Sequence, residues 1–238
     1  MSGAQEEGDV CLITGVGPGT GTSLVRRFTE AGYRVAMLAR SKDRLAELAD
    51  TVDRAYAFPC DVADTASLIN VVGDIRRTLG APRMVIHNAV GGAFGNFMEI
   101  EPEVLERNFQ INTMALLHLA RLTVQDMIDT GGGVILGTGN TSAYRGKSNF
   151  AGFAPSKAAQ RILLESIARQ VGPMGVHAAY VAIDAVIDVP WTRKMAPEKP
   201  DDFFAKPDEI AEECFRIAHQ SRSTWSSDVI IRPFGEDW

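Results

Sequence analysis

The sequence lacks a cysteine framework, an excess of positive charge and a long hydrophobic run, and each absence excludes a class of protein. The three cysteines, Cys11, Cys60 and Cys214, are odd in number and lack metal-ligand spacing, which argues against a disulfide scaffold or a metal site. A formal net charge of -6 without a basic stripe argues against a nucleic-acid partner. No apolar run reaches membrane-spanning length, and the first nine residues are too polar for a secretory signal. We therefore expect a soluble, cytoplasmic protein with buried, reduced thiols.

Apolar runs alternate with helical patterns along most of the 238 residues, 45% of which are hydrophobic. Several runs are continuously apolar, which is typical of parallel strands covered on both faces. The sequence therefore predicts an α/β fold: a single-domain, Rossmann-type doubly wound parallel sheet of about seven strands with helices on both faces. The predicted strands are 10–14, 34–39, 55–60, 83–88, 133–138, 176–183 and 227–232, and the predicted helices are 20–31, 42–51, 64–79, 102–129, 152–172 and 207–220.

The chain contains no linker or low-complexity tract, so we predict a polar tail over residues 1–9 and one domain over residues 10–238. Its least regular segment is 184–206, which carries three prolines and several large apolar side chains. Such a segment is typical of a substrate flap over a cleft, and a plain surface loop is an equally good interpretation.

A glycine-rich turn follows the first predicted strand, which ends at Thr14, and leads into an amphipathic helical stretch. Strand, glycine turn and helix together bring backbone N–H groups and a helix N-terminus close to a phosphate. The turn predicts a dinucleotide site, and the alternative is an ordinary glycine-rich connection. Its glycines are Gly15, Gly17, Gly19 and Gly21.

The residues after the second predicted strand indicate which nicotinamide cofactor the site takes. A carboxylate at position 39 would bind an adenosine ribose hydroxyl, but the residue there is Ala39. Arg40, with Ser41 and Arg44 nearby, offers a guanidinium fork for a 2′-phosphate instead. We therefore expect NADP(H) to be favoured over NAD(H). The alternative is that the charges only solvate the start of a helix.

Polar side chains also follow the third and fourth predicted strands. The Asp61 carboxylate could accept a hydrogen bond from the adenine amino group. Asn88 could line the site or only brace the neighbouring strands. His87 has no partner ligands at useful spacing, so we expect no metal there.

In these motifs the chain resembles the classical short-chain dehydrogenase/reductase family over essentially its whole length. The glycine turn matches the family's cofactor motif, Asp61 and Val62 match its adenine contact, and His87-Asn88-Ala89 approximates its Asn-Asn-Ala-Gly element. The resemblance implies that these residues contact the cofactor. The cofactor residues expected in full are Thr14, Gly15, Gly17, Gly19, Gly21, Arg40, Asp61, Val62, Asn88, Ala89 and Lys157.

The resemblance also implies a catalytic site. Asn112 falls where the family keeps a helix-breaking catalytic asparagine, and a bend in an apolar helix is the alternative role. Lys157 falls on the lysine of the family's Tyr-x-x-x-Lys pair, where it binds the nicotinamide ribose and lowers the tyrosine pKa. A charge on a helix surface is the alternative for Lys157.

The chain departs from the family pattern at both residues that handle the substrate oxygen. Phe153 stands at the tyrosine position, and Asn140 stands at the serine position. A shift in alignment could bring Thr141 or Ser142 near the serine position, but residues 149–156 contain no tyrosine. Because general acid catalysis contributes roughly 10²- to 10⁴-fold, the ordinary carbonyl mechanism requires another acid.

Three interpretations of this departure remain. In the first, the chain is an NADP(H)-dependent oxidoreductase with a non-standard proton donor, such as Tyr144 beside the cleft, and reduces a conjugated C=C or an activated carbonyl. The family's dienoyl-CoA reductases have such a relocated tyrosine, and Asn140, Asn112 or a hydroxyl could donate hydrogen bonds to the enolate. The alternative for Tyr144 is a rim residue or a dimer contact. An acyl-CoA substrate would require cations such as Arg193, Lys194 and Lys199 in the flap.

The second interpretation is a catalytically impaired NADP-binding regulatory or partner subunit, which keeps the cofactor residues without the chemistry. The third is an enzyme for a substrate that requires little acid help, such as a protonated imine. Under each of them, the apolar side chains of residues 152–172 and the family resemblance predict a homodimer or homotetramer.

Overall fold

A seven-stranded, fully parallel sheet runs through the middle of the protein in the computed structural model, which describes residues 8–235. Its strand order is 3-2-1-4-5-6-9, so the order reverses between the first and fourth strands. The doubly wound Rossmann-type sheet predicted from the sequence is confirmed. The strands are β1 (Val10–Thr14), β2 (Arg34–Ala39), β3 (Ala55–Pro59), β4 (Pro82–His87), β5 (Gly133–Gly139), β6 (Val176–Ile183), β7 (Val186–Ile187), β8 (Phe204–Ala205) and β9 (Asp228–Ile231), of which β7 and β8 form a separate pair.

Helices cover both faces of the sheet because successive strand residues point to opposite sides. Leu12 belongs to the core beneath the third, fifth and sixth helices, whereas Ile13 belongs to the core beneath the first, second and eighth. The helices are α1 (Thr20–Glu30), α2 (Lys42–Thr51), α3 (Thr65–Thr78), α4 (Pro102–Phe109), α5 (Ala115–Asp129), α6 (Ala154–Val171), α7 (Pro190–Met195) and α8 (Pro207–Ala218). No helix within residues 8–235 combines the length and apolar character needed to cross a bilayer.

The single helix predicted over 102–129 is divided into α4 and α5 by a π-helical turn, Gln110–Met114. The side chain of Asn112, in this turn, is buried and hydrogen-bonded outside its own helix. A π turn widens a helix locally and often marks a functional position. The periodicity of the sequence could not show the turn because the apolar pattern continues on both sides of it.

The segment 184–206, predicted to be the least regular, contains β7, α7, a 3₁₀ turn over Asp201–Phe203, and β8. Two ion pairs within the segment stabilise it: the Arg193 guanidinium binds the carboxylates of Asp188 and Asp201, each at 2.7 Å. Part of the segment lies against the cleft described below. The predicted polar tail lies outside the described residues apart from Gly8 and Asp9.

Candidate active site

A cleft of about 1010 Å³ opens at the carboxyl ends of the central strands, where the strand order reverses. Such a position is the usual ligand site of open α/β sheets. The cleft is bounded by the β1–α1 turn, the segments that follow β2, β3 and β4, helix α4 and the start of the flap segment. The predicted cofactor residues that line it are Gly15, Gly17, Gly21, Arg40, Asp61, Val62, Asn88 and Ala89.

Two glycines let the β1–α1 turn pack tightly. Gly15 has a φ of +68°, and a Cβ placed on it would lie 2.5 Å from the backbone nitrogen of Ala89. A Cβ on Gly21 would lie 2.5 Å from the Gly15 carbonyl oxygen. Gly19 is a third tight position, since its Cβ would lie 2.6 Å from Val189 in the flap segment. These glycines are required by packing within the protein.

Gly17 differs from its neighbours because a Cβ placed on it would meet no atom of residues 8–235 within 4 Å. It lines the cleft, so the absent side chain leaves the backbone open to a ligand rather than to another part of the chain. A glycine at such a position permits close approach of a pyrophosphate to the backbone. The cleft therefore fits the phosphates of a dinucleotide at this turn.

Thr20 is a candidate ligand residue that the sequence reasoning missed. It begins α1 and lines the cleft, and its hydroxyl is buried without a hydrogen-bond partner among residues 8–235. A buried polar atom without a partner costs free energy, so this hydroxyl fits a phosphate oxygen at the helix N-terminus. Its place directly after Gly19 is the only sequence signal that could have identified it.

Arginine side chains surround the other end of the cleft. Arg40 and Arg44 line it together with Ser41, whose hydroxyl caps α2 by accepting a hydrogen bond from the Arg44 N–H at 3.4 Å. Arg107 of α4 was not predicted, and it also lines the cleft and binds Asp61 at 2.8 Å. Three guanidinium groups therefore lie around this end of the cleft, which suits an anionic group.

Asp61 carries the only carboxylate among the residues that line the described cleft. Partial burial alone would raise its pKa, but hydrogen bonds from the Ala63 N–H and from Arg107, together with the charge of Arg40, lower the pKa below its usual value. The carboxylate is therefore ionised at neutral pH and remains a hydrogen-bond acceptor.

The polar residues at the end of β4 brace the strands. The Thr14 hydroxyl binds His87 Nδ1 at 2.9 Å, and His87 Nε2 donates to the Ile111 carbonyl at 2.9 Å. Burial, with a smaller effect of the Lys157 charge, lowers the pKa of His87 to about 3, so its ring is neutral. Asn88 donates to the Gly15 carbonyl at 3.0 Å although it also lines the cleft, so both roles considered for it are compatible with its position.

The Asn112 side chain connects three elements. Its amide donates to the Gly91 carbonyl at 2.8 Å and to the Ser156 hydroxyl at 2.9 Å, and its oxygen accepts from the Gly91 N–H at 2.9 Å. Both donor positions of the side-chain amide are therefore satisfied by groups of the protein itself. Asn112 therefore fixes the loop after β4 against α6 and has no donor left for a substrate oxygen.

Lys157 lies in the interior rather than on a helix surface, with 1% of its surface exposed. Its ammonium donates to the Thr138 carbonyl at 3.2 Å and to the Gln160 side-chain oxygen at 2.8 Å. It does not line the cleft. Burial lowers its pKa to about 7, because the low-dielectric interior disfavours the charged form.

This lowered pKa predicts a pH dependence of stability. Between about pH 7 and about pH 10 the unfolded state binds the Lys157 proton and the folded state does not, so stability rises with pH, by at most about 1.4 kcal/mol per pH unit. We expect the free energy of unfolding of the wild type, relative to Lys157→Met, to increase from about pH 7.5 to about pH 9.5. Urea titrations of both proteins measure it, and a constant difference would contradict the shift.

Phe153 directly precedes α6, and its ring is largely buried. A Cβ placed on Gly92 would lie 3.1 Å from the ring, so the ring packs against the loop after β4, next to the cleft. It has no group that could exchange a proton. An apolar ring therefore occupies the position at which the family resemblance expects a phenol.

Asn140 is folded onto its own turn, where its side-chain oxygen accepts a hydrogen bond from the Ser142 N–H at 3.2 Å and another from the Ser142 hydroxyl. Its backbone N–H donates to the Tyr180 hydroxyl at 3.1 Å. Neither Asn140 nor Ser142 lines the cleft.

The expectation that Tyr144 lies beside the cleft requires correction. Its hydroxyl donates to the Asp228 carboxylate at the start of β9, Arg161 lies over its ring at 4.7 Å, and it does not line the cleft. Partial burial and the Asp228 carboxylate raise its pKa well above the usual value. These contacts make Tyr144 a poor proton donor and support the rim position that the sequence reasoning left open.

Large apolar side chains are exposed at the mouth of the cleft. Val90 and Trp191 line the cleft and are 60% and 61% exposed. Phe94, Phe97 and Met98, farther along the loop after β4, are about 80% exposed. An exposed apolar cluster beside a cleft indicates a site for an apolar ligand or partner.

Comparisons with known proteins agree with this geometry. Residues 9–199 match the family model described as short chain dehydrogenase. The chain is similar to the 7alpha-hydroxysteroid dehydrogenase of Escherichia coli (strain K12), with 25% identity covering 96% of this chain and 94% of that protein. It is also similar to the cyclic-di-GMP-binding biofilm dispersal mediator protein of the same strain, with 32% identity covering 71% of this chain and 69% of that protein.

A solved structure of similar fold is the NADPH-bound short chain oxidoreductase of Pseudomonas aeruginosa PAO1, described as containing an atypical catalytic center. Its TM-score is 0.84 at 23% identity, over 97% of this chain and 99% of that chain.

Proposed function

Because this chain belongs to the short-chain dehydrogenase family, we propose that it is an NADP(H)-dependent oxidoreductase with a non-standard proton donor. The observation that carries this proposal is the cleft itself. It has an open backbone at Gly17, a Thr20 hydroxyl without a hydrogen-bond partner among the described residues, and arginines at its far end. When bound, the nicotinamide cofactor would donate or accept a hydride.

The residues that line the cleft would hold such a cofactor in a definite order. The β1–α1 turn and Thr20 would bind the pyrophosphate, Asp61 and Val62 would contact the adenine, and Asn88 and Ala89 would lie along the ribose. Arg40 would bind the 2′-phosphate that distinguishes NADP(H) from NAD(H). Lys157 stands at the position of the family's ribose ligand, and in this structure its amine donates hydrogen bonds to the Thr138 carbonyl and the Gln160 side chain.

Arg40→Ala is expected to weaken NADPH binding by about 10- to 100-fold and NADH binding far less, because it removes a charge-assisted hydrogen bond worth about 1.5–3 kcal/mol. Fluorescence titration with both cofactors measures the two dissociation constants. Arg26→Ala, an exposed position on α1 outside the cleft, is the matched control. Equal losses for the two cofactors would exclude a 2′-phosphate role for Arg40.

We propose a substrate that carries an activated carbonyl or a conjugated C=C. Phe153 offers no proton, so a substrate whose reduced form is a stabilised anion depends least on the absent phenol. The apolar mouth around Val90 and Trp191 suits an apolar substrate. An acyl-CoA is less well supported, because Arg193 is already bound by Asp188 and Asp201.

A second candidate function is an NADP-binding regulatory or partner subunit. The absence of a phenol at Phe153 and the full internal use of Asn112 favour it. One similar protein is named as a cyclic-di-GMP-binding mediator, a name that describes ligand binding rather than catalysis. A measurement of substrate turnover distinguishes the two functions, because only the oxidoreductase consumes NADPH.

The experiment that tests the proposed function is a titration with NADPH and NADH, followed by NADPH consumption with simple ketones, activated diketones and conjugated enones. Tight NADPH binding with consumption by the activated compounds supports the oxidoreductase. Tight binding without any consumption favours the regulatory subunit. We also propose that the chain forms a homodimer or homotetramer, which sedimentation would test. A cytoplasmic location is a further proposal.

A further inference from the structure

We infer that Arg107 of α4 binds the adenine of the cofactor with the flat face of its guanidinium, and that Asp61 is a positioning residue that holds this guanidinium in place. The inference rests on the proposed cofactor function of the cleft. The sequence motifs predict adenine contacts only from Asp61 and Val62. The role of Arg107 follows instead from where the structure places its side chain.

Arg107 belongs to the face of α4 that lines the cleft, together with Val104 before it and Ile111 after it. The backbone is fixed at this point by the next residue, Asn108, whose buried side chain donates to a backbone carbonyl before α6 at 2.6 Å. From this fixed backbone the Arg107 guanidinium donates to the Asp61 carboxylate at 2.8 Å. The pair therefore connects α4 with the loop after β3, and both of its members line the cleft.

The Asp61 carboxylate is used on both oxygens to hold this arrangement. Oδ1 accepts a hydrogen bond from the Ala63 N–H at 3.1 Å, which fixes the carboxylate against its own loop, and Oδ2 accepts the bond from Arg107. The two side chains of the pair are 36% and 52% exposed, and ion pairs with such exposure contribute little to stability. The pair is thus accessible to a ligand, and the fold does not depend on it.

The three guanidinium groups at this end of the cleft differ in how their charges are balanced. Asp61 neutralises Arg107, whereas neither Arg40 nor Arg44 forms an ion pair with a carboxylate among residues 8–235. A 2′-phosphate is therefore matched better by Arg40 and Arg44. Arg107 donates its hydrogen bond to Asp61 from the edge of its guanidinium, so what it offers to a ligand is the flat face of that group.

The side chains around the pair suit a flat base. Cys60 and Val62, on either side of Asp61, are buried and line the cleft, and Val104 and Ile111 line it from α4. A guanidinium stacks on aromatic rings through cation–π attraction, and nucleic-acid bases are bound in this way in many proteins. An adenine bound here would contact apolar side chains and the guanidinium plane.

The first test compares the two nicotinamide cofactors, because both carry adenine and only one carries the 2′-phosphate. Arg107→Ala is expected to weaken NADPH and NADH binding by the same factor, about 3- to 30-fold, in fluorescence titrations. ADP-ribose, measured by competition, is expected to lose the same factor. Arg77→Ala is the matched control, since Arg77 is also paired with a surface carboxylate, that of Asp74, but lies outside the cleft.

Two results of this comparison would overturn the inference. A loss confined to NADPH would make Arg107 a ligand of the 2′-phosphate, and unchanged binding of both cofactors would leave it without a role in binding. A wild-type protein that binds neither cofactor would instead overturn the proposed function. Urea unfolding shows whether the variants are folded, and Arg107→Met, which keeps the length of the side chain, replaces Arg107→Ala where the alanine variant does not fold.

A second test separates stacking from charge. Salt at about 0.5 M screens the attraction between Arg107 and the cofactor phosphates but leaves a direct contact with the base in place. The ratio of the wild-type and Arg107→Ala dissociation constants for NADH is therefore expected to persist at this salt concentration. A ratio that falls to one would show that Arg107 acts only through its charge, and would overturn the inference.

A double-mutant cycle tests the positioning role of Asp61. If Asp61 acts by holding Arg107, the double variant Asp61→Ala, Arg107→Ala is expected to bind NADH about as weakly as Arg107→Ala alone, because the second substitution removes nothing further. Losses that multiply in the double variant would show that Asp61 contacts the adenine independently, and would overturn its role as a positioning residue.

Discussion

Phe153→Tyr is expected to raise kcat/KM for simple ketones by about 10²- to 10⁴-fold, the usual contribution of a general acid. The substitution adds one hydroxyl to a ring that packs against Gly92 beside the cleft. The new phenol would lie one helical turn before Lys157, in the arrangement that the resemblance describes. The measurement is NADPH consumption with a simple ketone at saturating cofactor.

Phe153→Leu is the matched control for this gain, because it changes the apolar side chain without adding a proton donor. The double variant Phe153→Tyr, Asn140→Ser is expected to exceed the single variant, since it also returns a hydroxyl to the serine position. An equal rise in Phe153→Leu would show that packing, not proton transfer, limits the wild type.

Gly17→Ala is expected to weaken cofactor binding, whereas Gly15→Ala is expected to destabilise the fold, although both glycines lie in the same turn. The Gly17 Cβ would enter the cleft without touching any residue that the structure describes, so NADPH binding weakens by about tenfold or more while stability is retained. The Gly15 Cβ would meet the Ala89 backbone at 2.5 Å from a φ of +68°, so the free energy of unfolding falls by about 3 kcal/mol or more.

Urea unfolding and NADPH titration of the two variants separate these effects. Each variant is the control for the other, because the two substitutions add the same methyl group two residues apart. Unchanged NADPH binding in a folded Gly17→Ala protein would show that the phosphates do not approach this turn.

The sheet could be predicted from the sequence because each strand is an apolar run of sufficient length between turn signals. All seven predicted strands have a counterpart in the sheet, with boundaries that differ by about one residue. The glycine turn could also be predicted as a cofactor site, because the spacing of its glycines and its position between a strand and a helix determine which backbone atoms face a ligand. Local pattern thus suffices for the fold and for the glycine turn of the cofactor cleft.

The rest of the site depends on contacts between residues far apart in sequence. Tyr144 follows β5 and so belongs to the right edge of the sheet, but only its contact with Asp228 directs it elsewhere. Arg107 carries no motif, and it joins the site through its contact with Asp61, 46 residues earlier in the chain. The π turn at Asn112 leaves the apolar periodicity intact. No local pattern encodes such pairings.

Deuterium transfer tests most directly whether this cleft performs hydride chemistry. NADPH carrying deuterium at nicotinamide C4, on either face, is incubated with the protein and an activated diketone or a conjugated enone, and the product is examined by mass spectrometry. The proposed oxidoreductase predicts one deuterium per product molecule from one face only. Tight NADPH binding without deuterated product from any of these compounds would contradict it and favour the regulatory function.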